Sequence, residues 1–126
     1  MAQMRKPYSD SNIFLQDSTF YILLSLVNGP KHGYAIMKDV RVTSEQRLAL
    51  SAGTLYGALK RLLVLGWVER MPSLVKVESE HERKEYQLTD LGKKVFEMEV
   101  ARHRNMVAVA DLRFSERGDD PHYPYP

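Results

Sequence analysis

The sequence contains no cysteine among its 126 residues. This excludes a disulfide framework, a thiolate metal site and a cysteine nucleophile. Long apolar runs are also missing, because the longest, residues 20–24, falls far short of the ~20 residues that span a bilayer. Residues 1–11 lack the apolar segment of a secretory signal. We therefore expect a cytoplasmic protein with no membrane partner.

Signatures of catalysis are equally scarce. The chain has no glycine-rich phosphate loop after a strand and no serine in a nucleophile elbow, and its carboxylates lie in charge-mixed stretches. Its four histidines show no spacing typical of metal ligands. The sequence predicts a protein that is not an enzyme and that has neither a cofactor nor a metal.

The charge of the whole chain is uninformative, but its distribution is not. Lys and Arg total 18 against 16 Asp and Glu, a formal net charge of +2. Residues 31–61 alone hold six cations and only two acids. Cationic charge is thus concentrated in the first half of the chain, where it could meet a phosphate backbone.

Helical periodicity predicts three helices in that half. Asp17 and Ser18 are candidate N-caps of the first, Ser51 is the N-cap of the third, and Gly66 is its C-terminal stop. Residues 48–50 form either a brief strand or the lead-in to the third helix. The helices are predicted at residues 19–27, 33–42 and 51–66.

After Gly66 the apolar period changes to alternation, which predicts strands at residues 67–70, 74–77 and 85–88 around a polar hairpin tip. Thr89 then caps a fourth helix. The expected fold is mainly α with a small β-hairpin wing, a winged helix-turn-helix followed by a C-terminal dimerisation helix. The predicted divisions are a flexible arm (1–12), the DNA-binding domain (13–88), the dimerisation helix (89–112) and a flexible tail (113–126).

The third helix has two unlike faces. At 100° per residue, leucines and Ala58 occupy one arc, while Tyr56, Gly57, Lys60 and Arg61 occupy the other. A glycine on an exposed helix face costs on the order of 1 kcal/mol relative to alanine. Its presence predicts that a partner approaches the backbone closely at this position.

Three motifs of the chain occur in order: "GPKHGYAIMKDV" at residues 29–40, "LSAGTLYGALKRLLVLGWVE" at 50–69 and "YQLTDLGKK" at 86–94. Together they resemble the PadR family of bacterial transcriptional regulators over about residues 15–95. The length of the chain is similar to that of the smaller subfamily, which has a single C-terminal helix.

The resemblance implies a homodimeric winged-helix repressor that binds a palindromic operator in double-stranded DNA. It implies recognition-helix contacts from Ser51, Thr54, Tyr56 and Lys60, and a phosphate contact from Tyr34. The outer arc of the third helix adds Arg61, whose guanidinium could grip a phosphate or a guanine edge. Which of these side chains contact bases and which contact the backbone stays open at this stage.

The wing departs from the family pattern because its tip is acidic. Glu78, Glu80 and Glu82 stand there beside Arg83 and Lys84. Either the two cations point at DNA while the glutamates face solvent, or the wing contributes little.

The fourth helix carries two apolar stripes, which is more than one small domain needs to bury. A second copy of the chain is the expected cover for the surplus stripe. The predicted dimerisation residues are Val95, Phe96, Met98, Val100, Met106 and Val107.

Other interpretations remain open for single residues and for the whole chain. Tyr34 and Tyr56 could pack on their own domain, and Trp67 could be a core residue or could stack on a planar effector. The effector would be an aromatic or hydrophobic small molecule. The chain could also be a winged-helix adaptor that binds protein without DNA, or a small-molecule sensor that has lost DNA contact.

Overall fold

The computed structural model describes residues 15–72 and 84–117, and its order of elements is that of a winged helix-turn-helix with one C-terminal helix. This confirms the predicted fold class. The arm at 1–12 and the wing tip lie outside the described residues. The elements are α1 (Asp17–Ser25), β1 (Lys31–His32), α2 (Gly33–Thr43), α3 (Ala52–Leu65), β2 (Val68–Pro72), β3 (Lys84–Leu88) and α4 (Asp90–Glu116).

The three strands form an antiparallel sheet with β3 between β1 and β2. The extended piece predicted at residues 48–50 is not a strand; the additional strand is β1, directly before α2. A strand of two residues is too short to show an alternating apolar pattern in the sequence. Its pairing with β3 is what defines β1. The His32 Nδ1 atom lies 3.2 Å from the Lys84 carbonyl oxygen, and its Nε2 atom lies 3.5 Å from the Glu85 carboxylate.

Residues 48–50 instead lead into α3 from a tight turn after α2. The buried Ser44 hydroxyl accepts a hydrogen bond from the Leu48 backbone N–H at 3.0 Å. Glu45 and Gln46 both adopt left-handed backbone conformations, with φ of 56° and 69°, which non-glycine residues visit rarely. The turn between α2 and α3 is therefore closely defined by local contacts.

The predicted ends of α3 and the start of α4 are confirmed. The Ser51 hydroxyl accepts the Thr54 N–H at 3.1 Å, and Gly66 ends α3 in the left-handed region at φ 79°. The Thr89 hydroxyl accepts the Gly92 N–H at 2.9 Å and donates to the Gly66 carbonyl at 2.6 Å. One side chain thus closes α3 and opens α4.

The start of α1 differs from its prediction. Gln16 occupies the N-cap position without a side-chain cap bond, and Asp17 is the first helical residue. Asp17 therefore lies in the first turn, where a negative charge interacts favourably with the helix dipole. The helix ends at Ser25, and the chain turns before reaching Gly29.

All four helices and the sheet share one core. Trp67 belongs to it and is 4% exposed, so the interpretation of Trp67 as a core residue is confirmed. The other fully apolar members are Ile22, Leu23, Leu26, Ile36, Val40, Leu55, Ala58, Leu59, Leu62, Val68, Leu88, Val95 and Phe96.

Helix α4 has a buried first half and an exposed second half. Both predicted stripes are covered in the first half and exposed in the second, because α1 and the sheet contact only the first three turns. Val95 and Phe96 are core residues, and their assignment to the dimer surface is wrong. The helix also continues to Glu116, past the predicted boundary at 112, because the first helix-breaking residue is Gly118.

Within residues 15–72 and 84–117, no helix has the length and apolar character that a transmembrane segment requires.

Candidate nucleic-acid interface

The face of α3 turned away from the core consists of Gly53, Gly57, Lys60 and Val64, which we call the outward face. A Cβ atom added at Gly53 would meet nothing within 4 Å, and one at Gly57 would meet only a guanidinium nitrogen of Arg61 at 4.0 Å. The fold itself therefore gives no packing reason for glycine at these two positions.

Other glycines of the chain do have such a reason. A Cβ at Gly33 would overlap the Tyr56 hydroxyl, and a Cβ at Gly92 would overlap the Trp67 carbonyl group. The contrast strengthens the interpretation of Gly53 and Gly57, because their bare backbone is useful only to something outside the chain.

Tyr56 is turned partly inward. Its ring is half-buried, and its hydroxyl lies over Gly33 at the start of α2. The end of the Tyr56 ring therefore packs on its own domain, which was one of the two interpretations of this residue. Tyr34 is different, because it lies in the first turn of α2 and is 76% exposed.

Ser51 and Thr54 lie at the exposed N-terminus of α3. The Ser51 hydroxyl is committed to the helix, since it caps the Thr54 N–H and donates to the Thr54 Oγ1 atom at 3.0 Å. Thr54 Oγ1 accepts that bond and so keeps its own proton for an external acceptor. Of the two hydroxyl groups, Thr54 is the better placed to contact a base edge.

Lys60 and Arg61 are neighbours in sequence and are both exposed, but they border different recesses. Arg61 lines a groove of about 300 Å³ with Gln16 and Thr19 of the α1 region. Lys60 lines a cleft of about 330 Å³ between α3 and the sheet. The outward face therefore has a cation on each flank, and α3 contains no acidic residue.

The wing contributes Lys84 to the same cleft as Lys60. Arg83 lies outside the described residues. In the part of the chain that is described, no three His, Asp or Glu side chains are grouped so that they could hold a metal ion.

The comparisons with known proteins identify the family of this fold. The sequence profile of the transcriptional regulator PadR-like family matches residues 22–98, more than half of the chain. The chain belongs to the PadR-like family. Its members are transcriptional regulators with a DNA-binding winged-helix fold, and so the chain is a regulator and not an enzyme.

Solved structures of PadR regulators share the fold. A PadR family transcription regulator from Clostridium difficile is 27% identical, with a TM-score of 0.63, over 79% of this chain and 99% of that one. Bacillus subtilis PadR in complex with operator DNA is 26% identical, with a TM-score of 0.54, over 63% of this chain and 44% of that one. An uncharacterised protein of a Streptomyces fradiae transposon is 34% identical over 83 residues, which span 66% of this chain and 22% of that protein.

The remaining predicted dimerisation residues of this PadR-like chain differ in their exposure. Met98 and Val100 are half-buried against the core, whereas Met106 and Val107 are exposed by 47% and 60%. Val109 and Leu112, which the predicted set omits, are exposed in the same way. We call residues 101–116 the distal half of α4.

A buried carboxylate in α4 was missed by the sequence analysis. Glu99 is 1% exposed and accepts hydrogen bonds from the Arg102 guanidinium at 2.7 and 3.0 Å and from the Leu15 N–H at 3.2 Å. The Arg102 hydrogen bonds lower the pKa of Glu99 and outweigh the opposing effect of burial. This carboxylate fixes the chain just before α1 onto α4 of the PadR-like fold.

Proposed function

We propose that this PadR-like regulator is a cytoplasmic repressor that binds a palindromic operator as a homodimer, with α3 in the major groove. The observation that carries the proposal is the outward face of α3, which is open, glycine-lined and flanked by Lys60 and Arg61. An α-helix about 10–12 Å across fits the major groove, which is about 12 Å wide. Glycines on that face let the backbone approach the base edges.

The exposed side chains take different roles in this proposal. Thr54 and Arg61 read base edges, since a hydroxyl with a free donor and a guanidinium both suit that task. Tyr34 and Ser51 lie at helix N-termini, which favour phosphate groups. Tyr56 offers only the accessible part of its ring, and Arg83 and Lys84 contact the DNA backbone from the wing.

The proposed dimer uses the distal half of α4. Met106, Val107, Val109 and Leu112 place large apolar side chains in water in a single chain, and a second copy would cover them. Met98 and Val100 would lie at the margin of that contact. A twofold axis there would set the two α3 helices roughly 34 Å apart, one turn of duplex.

Release from DNA by an aromatic or hydrophobic small molecule is a further part of the proposal. The groove that Arg61 borders is lined by Leu15, Leu62, Leu65 and the ring of Trp67, which suits an apolar ligand. Trp67 is the single tryptophan of the chain, so any change in tryptophan emission comes from this residue. Titration of aromatic acids and alcohols should change the emission of Trp67 and release bound duplex together.

The experiment that tests DNA binding starts from a pool of random-sequence duplexes selected on the full chain. We expect enrichment of one sequence with twofold symmetry, and a fluorescence-anisotropy affinity for it that falls steeply as salt rises. Light scattering should give the mass of a dimer. Failure to enrich any sequence, with no salt-dependent binding to the starting pool, would leave the protein-binding adaptor as the better description.

A further inference from the structure

Strands β2 and β3 separate their charges by face. Val68 pairs with Leu88, and both point into the core. Because side chains alternate along a strand, the residues that share this face are Arg70 of β2 and Tyr86 and Lys84 of β3. We call it the cationic face of the sheet.

The acidic residues of the same strands lie on the opposite face. Glu69 pairs with Gln87 there, and the Gln87 side-chain amide donates to the Glu69 carboxylate at 2.6 Å. Glu85 is on that face too and lies 3.5 Å from the His32 ring. In the described part of the wing, the carboxylates are therefore held away from α3, and the cations are turned towards it.

Helix α3 packs beside the cationic face and leaves the cleft of about 330 Å³, which we call the wing-side cleft. Its walls include Leu59 and Leu63, and its charged members are the three cations Lys60, Arg70 and Lys84. No lining residue that the structure describes is acidic, and none of the three cations has an ion-pair partner among residues 15–72 and 84–117.

Tyr86 forms part of the cleft and is a permanent hydrogen-bond donor at neutral pH. Burial raises the pKa of Tyr86, and the neighbouring Tyr56 raises it further, while the Arg70 cation lowers it. Arg70 is the residue that pairs with Tyr86 across β2 and β3. The recess therefore combines three cations, which have no ion-pair partner in the described part of the chain, with a neutral phenol, and this chemistry suits an oxyanion.

We infer that the wing-side cleft is a seat for one phosphodiester of the DNA backbone, held by Lys60, Arg70 and Lys84. This rests on the proposed function and extends it, because Lys60 belongs both to the outward face and to the cleft. A helix lying in the major groove has a backbone strand along its flank, and the cleft borders α3 on the flank that faces the wing. Charge complementarity with a polyanion favours this occupant over an apolar one.

In this assignment the two flanks of α3 have different roles. Lys60 on the wing side anchors the backbone and adds affinity without sequence preference. Thr54 and Arg61 on the other side are left to read base edges. Arg70, which the sequence did not single out, becomes a phosphate-binding residue.

The test compares Arg70→Gln with Lys93→Gln, a matched control that removes the same charge from an exposed site on α4. Affinities are measured for a selected operator duplex and for a scrambled duplex across a series of salt concentrations. Arg70→Gln should weaken both complexes by the same factor, about tenfold for each of the two protomers, and should reduce the slope of log affinity against log salt by about 1.8, which is about 0.9 per protomer. Lys93→Gln should change neither quantity.

A second arm locates the phosphate. Operator duplexes with one neutral methylphosphonate linkage are scanned along each strand. At one linkage per half-site, wild type should lose about tenfold in affinity while Arg70→Gln loses clearly less, because the Arg70 contact is already absent and only Lys60 and Lys84 still hold that phosphate. Circular dichroism and Trp67 emission verify that the variant is folded.

The outcomes separate the two proposals. If wild type binds the operator with a steep salt dependence but Arg70→Gln is indistinguishable from it, the phosphate seat is wrong and operator binding stands. A selective loss of operator over scrambled duplex would mean that Arg70 reads a base, which also overturns the seat. If wild type binds no duplex at any salt concentration, the proposed function itself has failed.

Discussion

The outward face of α3 and the distal half of α4 are both exposed in a single chain, but their chemistry is opposite. The first presents glycine backbone with a cation on either flank. The second presents the large apolar side chains Met106, Val107 and Leu112. Exposure alone does not identify a partner, whereas composition does: the first surface suits a polyanion that approaches closely, and the second suits another apolar surface.

The largest effect is expected from a substitution that places a charge in the apolar surface of the distal half of α4. Val107→Asp would place a charge in the proposed dimer contact, and the dimer should dissociate because a desolvated carboxylate has no partner there. Operator affinity should fall by about 100-fold or more, since two linked half-site contacts become independent. Light scattering and anisotropy measure the two effects, and Asn105→Asp is the charge-matched control. A dimer that survives Val107→Asp would move the contact elsewhere.

Glu99 lies just before the distal half of α4 and fixes the chain before α1 onto that helix. Glu99→Gln should lower the free energy of unfolding at neutral pH by about 1.5–3 kcal/mol, the range for hydrogen bonds to charged groups. The pKa of Glu99 is depressed in the folded state, mainly by the Arg102 hydrogen bond, so its contribution is present above the ordinary Glu pKa and is lost as pH falls through the folded value.

The difference in stability between wild type and Glu99→Gln should therefore shrink as the solution is acidified below about pH 4.3. Urea denaturation at a series of pH values measures it. A difference that is constant down to the acid-unfolding range would show that the carboxylate charge contributes nothing. Glu97→Gln, an exposed neighbour on α4, is the matched control and should show little difference at any pH.

Arg61→Ala tests the base-reading flank of α3. We expect a loss of about 1–3 kcal/mol in operator binding and a smaller loss for scrambled duplex. The ratio of operator affinity to scrambled-duplex affinity should therefore decrease. Competition anisotropy with the two duplexes measures the ratio. An equal loss for both would reassign Arg61 to the backbone.

Gly57→Ala should have the smallest effect of these variants. It is diagnostic because its folding stability and its operator affinity should change in opposite directions. The added methyl group meets open space, so the free energy of unfolding should rise by up to about 1 kcal/mol as a helix glycine is replaced. Operator affinity should nevertheless fall, because the methyl group occupies the gap between backbone and groove. Gly92→Ala is the opposite case, since its Cβ overlaps the Trp67 carbonyl and should destabilise the fold. A stabilised Gly57→Ala with unchanged affinity would remove Gly57 from the interface.

Features set by neighbours in the sequence could be predicted. Ser51, Gly66 and Thr89 cap their helices as expected, because a cap depends on residues within one turn. The apolar arc of α3 that enters the core was predicted from the helical period of its apolar residues. The outer arc was predicted as one surface, whereas the structure turns Tyr56 towards Gly33 and places Lys60 and Arg61 beside different recesses.

The remaining features depend on contacts across the chain. Which half of α4 enters the core is decided by α1 and the sheet, so periodicity could not separate Val95 and Phe96 from Met106. Glu99 and Arg102 are three residues apart on a helix, a spacing typical of surface ion pairs, and only the packing of α1 buries the carboxylate. The separation of acidic and cationic side chains onto opposite faces of β2 and β3 also could not be predicted, because it depends on the register of the two strands.

The hydroxyl of Thr89 bonds at once to Gly66, which ends α3, and to the first turn of α4, and the absence of a side chain at Gly92 lets that first turn approach the Trp67 carbonyl group. The end of one helix and the start of the next are therefore held by a single side chain. Loss of the Thr89 hydroxyl would remove both bonds together and loosen the two helix ends at the same time.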